Sequence, residues 1–225
     1  MSSPTAAARG FTLLELLVAL SVFAVVSMMA YGGLQSVLET RARVQAEGER
    51  LGELQLALGV MTRDLSQHVD RPWRDQWGEE RPSIGLDRLA FEPRLELIRA
   101  GGREGDQRSE LRRIGYELDD GVVYRLMWAG IDGGGPMPDG RTRLAGHADD
   151  PQRRITGLRV AFHYRETGGD ADGAGRMMVA DGWPLPGPAA EGVELRAVEV
   201  ILELERGGTV RRLVPVIAAG LRPSQ

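Results

Sequence analysis

The sequence predicts an α+β protein: one long N-terminal helix, with a membrane-spanning half and a water-facing half, packed on an antiparallel β domain. Three observations lead there. From Leu16 to Gln35 no side chain ionises apart from the weakly acidic Tyr31, a run long enough to cross a bilayer as a helix. Val37, Val44, Leu51, Leu58 and Leu65 then recur every seven residues, with Leu54 and Met61 between them and charged residues such as Glu39, Arg43, Glu47 and Arg50 around the seam. From Arg71 onward that period gives way to short alternating segments separated by turns.

Residues 1–10 read as a polar leader, 11–35 as the membrane part of the helix, 36–70 as its water-facing part and 71–225 as the β domain. The apolar run is interrupted at its head by one carboxylate, Glu15. Carried as a charge to the centre of a bilayer it would cost about 2.5–3.5 kcal/mol, so it requires a partner or a role. A cleaved secretory signal, with Ala30-Tyr31-Gly32 as its cleavage site, is the simpler alternative, but the apolar core exceeds the roughly 7–15 residues of such a signal. The helix is expected to run from about Thr12 to about Val69, on the order of 85 Å at 1.5 Å per residue. Pro72 stops it, because proline disfavours the helical conformation of its predecessor and lacks a backbone donor. The seam from Leu54 to Leu65 is assigned to packing on the chain's own domain. Val37, Val44 and Leu51 are assigned to a partner interface.

Strands are expected over residues 86–91, 95–98, 111–118, 122–128, 158–164, 193–204 and 210–217. Asp119-Asp120-Gly121 and Gly207-Gly208 mark two hairpins. The glycine-rich and acidic stretches 130–146 and 168–175 read as loops, and the proline-rich 183–188 as an extended linker. Trp73 and Trp77, among Arg71, Arg74, Glu79, Glu80 and Arg81, fit either a partner surface or a loop pinned by ion pairs at the helix end.

Composition narrows the chemistry. Among 225 residues every basic residue is arginine apart from 3 histidines, the net charge is −4, and no single-sign block forms a footprint for nucleic acid. Without lysine the Schiff-base and phosphate-loop chemistries that depend on it are excluded. Without cysteine there is no disulfide, thiol nucleophile or thiolate metal site. Ser66, Ser83 and Ser109 lack a glycine-flanked elbow, and His68, His147 and His163 lack metal-ligand spacing. No cofactor is expected and no metal site is assigned. The nearest approach to one is Asp170, Asp172 and Asp181 around Gly175, which imitates a calcium loop but has Ala174 at its fifth place.

Gly10-Phe11-Thr12-Leu13-Leu14-Glu15 resembles the class III signal of type IV pilins and type II secretion pseudopilins. The resemblance implies a pilin-like fold, cleavage between Gly10 and Phe11 by a prepilin peptidase, N-methylation of Phe11, and Glu15 as the assembly residue. Physics suits those roles. Gly10 leaves a protease unobstructed at the membrane edge, and the new Phe11 amine can meet Glu15, whose charge is then compensated in an apolar fibre core.

Further along, the resemblance narrows to the minor pseudopilin J family. It rests on Arg63-Asp64-Leu65, Arg71-Pro72-Trp73-Arg74-Asp75, Leu95-Glu96-Leu97-Ile98-Arg99, Arg108-Ser109-Glu110-Leu111-Arg112-Arg113-Ile114-Gly115-Tyr116 and Arg196-Ala197-Val198-Glu199-Val200. The chain departs from that family's usual pattern over residues 101–106. The resemblance implies a non-enzymatic subunit that helps initiate and cap a periplasmic pseudopilus. Its implied partners are minor pseudopilins I and K, then H and the major pseudopilin, plus the prepilin peptidase. Its implied place is the inner membrane, single-pass, with the C-terminal domain in the periplasm. The alternatives are a type IV pilus minor pilin and a membrane-anchored periplasmic enzyme or binding protein.

Overall fold

Residues 12–87, 94–101, 111–166, 175–187 and 192–220 are described by the computed structural model. They fall into two units that divide between Leu51 and Gly52. One helix, α1 (Leu13–Ser66), begins in the first and ends in the second.

In the first unit the Thr12 hydroxyl oxygen accepts the Glu15 backbone N–H at 3.3 Å, capping α1 and placing Glu15 in its first turn, where the helix dipole favours negative charge. Residues 12–49 are exposed throughout. A surface made of Leu16, Leu17, Val18, Val22 and Phe23, which together surround the helix, is suited to lipid, not water. The Ser21 hydroxyl donates to the Leu17 carbonyl at 2.8 Å, so it adds no unsatisfied polar group there. Among the described residues α1 is the helix long and apolar enough to cross a membrane. Beyond Tyr31 its surface changes character: Arg50 pairs with Glu47 at 3.2 Å and Gln45 donates to Glu49 at 3.2 Å.

In the second unit α1 buries Leu54, Ala57, Leu58, Met61, Asp64 and Leu65, one face at helical spacing. The helix ends at Ser66, three residues before the expected Val69. Its last turn tightens, with His68 N–H donating to the Leu65 carbonyl at 3.1 Å. The backbone is then taken over by a strand: Val69 N–H donates to the Ile98 carbonyl at 3.0 Å, and Ala100 N–H to the Gln67 carbonyl at 2.8 Å.

The strands are β1 (Trp73–Arg74), β2 (Glu80–Arg81), β3 (Ile84–Asp87), β4 (Arg94–Ala100), β5 (Leu111–Asp119), β6 (Val122–Met127), β7 (Gly140–Gly146), β8 (Ile155–Glu166), β9 (Met177–Ala180), β10 (Val193–Leu204) and β11 (Gly208–Gly220). They pair antiparallel into a five-stranded sheet β3-β4-β5-β6-β7, a four-stranded sheet β11-β10-β8-β9 and a two-stranded ribbon β1-β2. Both expected hairpins form. Asp119 faces Val122 across a two-residue turn in which Asp120 (φ 44°) and Gly121 (φ 76°) are both left-handed, the twist that suits a tight hairpin. The second closes Leu204 on Gly208, with Gly207 left-handed in the turn.

Four expectations are corrected. The stretch 130–146 is not all loop: its end is β7, an edge strand with few apolar residues that is held to β6 by cross-strand pairing. β9, β1 and β2 are further short strands that the alternation pattern did not signal. β3 starts two residues before the expected 86 and is described to Asp87; residues 88–91 of that expectation lie outside the described residues. The supposed linker 183–188 carries a core residue: Trp183 is 4% exposed and lies 6.4 Å from the Phe162 ring and 6.0 Å from the Tyr164 ring. Its carbonyl accepts the Leu86 N–H at 3.2 Å, and a Cβ on Gly85 would stand 2.8 Å from that oxygen, so β3 needs glycine to let this segment lie close. Pro188 lies outside the described residues.

The core joins the buried face of α1 to residues of both larger sheets, among them Leu97, Ile114, Val123, Phe162, Leu195, Val198 and Val200. At its edge sits one charged cluster. Asp64 of α1, 1% exposed, accepts hydrogen bonds from Arg99 of β4, the Tyr116 hydroxyl of β5 and, at 2.5 Å, Arg125 Nε of β6. Removing one partner of such a buried set leaves the others stranded at a cost of about 3–5 kcal/mol. Asp64→Asn should therefore destabilise a fragment beginning at Leu38 by about that amount, and Tyr116→Phe by about 1–2 kcal/mol. Urea unfolding checks both. A loss under about 0.5 kcal/mol for Asp64→Asn, the size of an ordinary surface substitution, would mean that apolar packing alone seats the helix.

Candidate functional site

The candidate site lies in the first unit. Glu15 stands in the first turn of α1, and among the described residues its carboxylate has no ion-pair partner. Gly10 and Phe11 lie outside the described residues. Val37, Val44 and Leu51 are 55%, 68% and 48% exposed, so this part of the seven-residue seam is uncovered. Successive members drift only about 20° around an ideal helix, which keeps the three on one face. Thr40, Arg41, Val44 and Gln45 form a shallow hollow beside that face. Leu58 and Leu65, later members of the same seam, are 4% and 0% exposed within the second unit. One sequence repeat is thus exposed over its first part and buried over its last.

The polar clusters of the second unit are structural. His68 Nε2 lies 3.1 Å from the Ser83 hydroxyl, which donates its hydrogen to Asp70 at 2.8 Å. The hydroxyl therefore accepts from the histidine and gives to the aspartate, the reverse of what an activated nucleophile needs. The cluster staples the end of α1 to β3. Arg113 lies between two indoles, 3.6 Å from the Trp73 ring and 4.2 Å from the Trp128 ring, and donates to Glu96 at 2.9 Å. Of the two tryptophans in question, Trp73 is buried and Trp77 is 72% exposed. Their loop is pinned by ion pairs: Arg71 to Asp132 at 2.7 Å and Arg81 to Asp75 at 2.8 Å.

These contacts shift several ionisations. Burial first, then the neighbouring Asp64 charge, pushes the Tyr116 hydroxyl well above the usual phenol range. Burial opposes ionisation of Asp75, but the Arg81 guanidinium and the Trp77 and Glu79 N–H groups outweigh it and hold the carboxyl below its ordinary value of 3.8. The Arg71 hydrogen bond and the Arg74 N–H do the same for Asp132.

Of the calcium-like trio, Asp170 and Asp172 lie outside the described residues, and Asp181 stands exposed just after β9. Among the described residues no three of His, Asp and Glu come together in a way that could hold a metal ion.

A family model described as type II secretion system protein J matches residues 32–216, and one for the prokaryotic N-terminal methylation motif matches residues 5–31. The chain belongs to the type II secretion system protein J family. The protein J of Escherichia coli is 33% identical over 134 residues, covering 57% of this chain and 67% of that protein. The protein J of Klebsiella pneumoniae is 28% identical over 214 residues, covering 91% and 92%. In fold the chain is similar to a chain of the GspK-GspI-GspJ complex from enterotoxigenic Escherichia coli, with a TM-score of 0.55 at 22% identity, covering 74% of this chain and 97% of that one. The chain is thus a minor pseudopilin with a pilin-like fold, and its N-terminal helix is long and apolar enough to serve as a single membrane anchor.

The lowered carboxyls give the domain an acid limb. A group whose folded pKa lies below its unfolded one contributes fully above the unfolded value, and that contribution is lost as the pH falls through the folded one. Asp75 and Asp132 therefore contribute their full stabilisation above about pH 4 and lose it progressively as the pH falls from there through their lowered folded values. Asp132→Asn should flatten that limb and leave its position near neutral pH shifted only by the lost Arg71 contact. Urea midpoints between about pH 2 and 6 test this, and identical limbs in both proteins would remove Asp132 from the account.

Proposed function

We propose that this minor pseudopilin helps initiate and cap a short fibre that rises from the inner membrane and drives protein export across the outer membrane. One observation carries the reading: an exposed helix, apolar on all sides, with a lone carboxylate in its first turn. A helix of that kind is stable in lipid or among similar helices, and its carboxylate is tolerable in a fibre core only opposite a cation. On this reading residues 1–10 are the prepilin leader, 11–35 the membrane segment, 36–70 the periplasmic part of the helix and 71–225 the periplasmic β domain. Minor pseudopilins I and K, named with J in the related complex, would be the direct partners, with H and the major pseudopilin beyond them. The work asked of the chain is assembly, not catalysis.

Processing is the first test. A prepilin peptidase should cut between Gly10 and Phe11 and leave a methylated Phe11 amine. Gly10→Val should block the cut, because a branched side chain fills the space the enzyme needs. Mass spectrometry of the mature chain decides, and a chain that still begins at Met1 in cells with active peptidase would count against the reading.

Glu15→Ala should leave insertion intact or improve it, since a carboxylate costs about 2.5–3.5 kcal/mol at mid-membrane, and should weaken recruitment into the fibre. Crosslinking between subunits through the membrane helix measures recruitment. Equal yields from mutant and wild type would leave Glu15 without an assembly role.

Val37, Val44 and Leu51 make a narrow apolar stripe that seeks a partner helix. Val44→Asp with Leu51→Asp should weaken binding to subunits I and K by tenfold or more, about 1.4 kcal/mol, while moving the fragment's own stability by no more than about 0.5 kcal/mol. A pull-down and a melting curve on the same double variant separate the two effects. Collapse of the melting temperature with binding retained would assign the stripe to the domain's own packing.

A further inference from the structure

We draw no further inference here: the strongest candidate, the 930 Å³ cleft between the β1-β2 ribbon and the 181–186 segment, with exposed Trp77 and Met137 beside it, is an apolar depression, and nothing in the structure shows what covers it.

Discussion

The β domain depends on one buried carboxylate. Asp64 leaves water at the edge of the core and is compensated by donors from three consecutive strands, Arg99 on β4, Tyr116 on β5 and Arg125 on β6. Burying an ion costs several kcal/mol before compensation, so the cluster contributes less net stability than its bonds suggest. Its effect is positional. Apolar contacts between Leu54, Leu58, Met61 and the sheets are non-directional and tolerate small slides, whereas a slide of one helical turn, about 5.4 Å, would strand both the carboxylate and two guanidinium groups. The cluster therefore sets the register of α1 in the domain, and Glu53, about three turns earlier on the same side of the helix, adds a second tie by bridging Arg143 and Arg153 at 2.6 Å each.

The helix answers to two solvents in succession. From Leu16 to Ala30 the helix is apolar all round, with the Ser21 hydroxyl folded back on the Leu17 carbonyl; in the second unit the apolar residues contract to one face. The change is abrupt in sequence, because Leu51 is exposed and Leu54, three residues on, is buried. A single averaged amphipathicity over the whole helix would hide both halves. The exposed stripe at Val37, Val44 and Leu51 belongs to the intermediate stretch, where charged pairs such as Glu47 and Arg50 have appeared.

Local signals were legible in the sequence and distant ones were not. The helix, its seam and the Asp120-Gly121 hairpin follow from spacing and turn chemistry within a few residues, and the structure has them. Asp64 could be seen as part of a family motif, yet its role could not, because Arg99, Tyr116 and Arg125 lie 35, 52 and 61 residues away. β7 and β9 escaped for another reason: edge strands bury little, so selection for alternation is weak and glycine and arginine are tolerated. Trp183 was hidden by its prolines, whose composition signals extended chain even where the neighbouring indole completes a core beside Phe162 and Tyr164. At the N-terminal site the motif was plain, and the described residues add the Thr12 cap that places Glu15 in the first turn.

Glu15 and Asp64 sit on the same helix and pose the same electrostatic problem with opposite solutions. Asp64 is answered within the chain, by three donors of its own domain, and the result is a fixed fold. Glu15 has no such answer among the described residues, yet it sits where the surrounding helix is most apolar. A charge left uncompensated there raises the free energy of the isolated subunit in the membrane, and any arrangement that brings a cation to it is favoured by that amount. On the proposed reading the cation is the Phe11 amine, which exists only after the leader is removed. Cleavage would then create the partner for a charge that is already in place, so an unprocessed subunit would carry the membrane cost of Glu15 without the contact that relieves it.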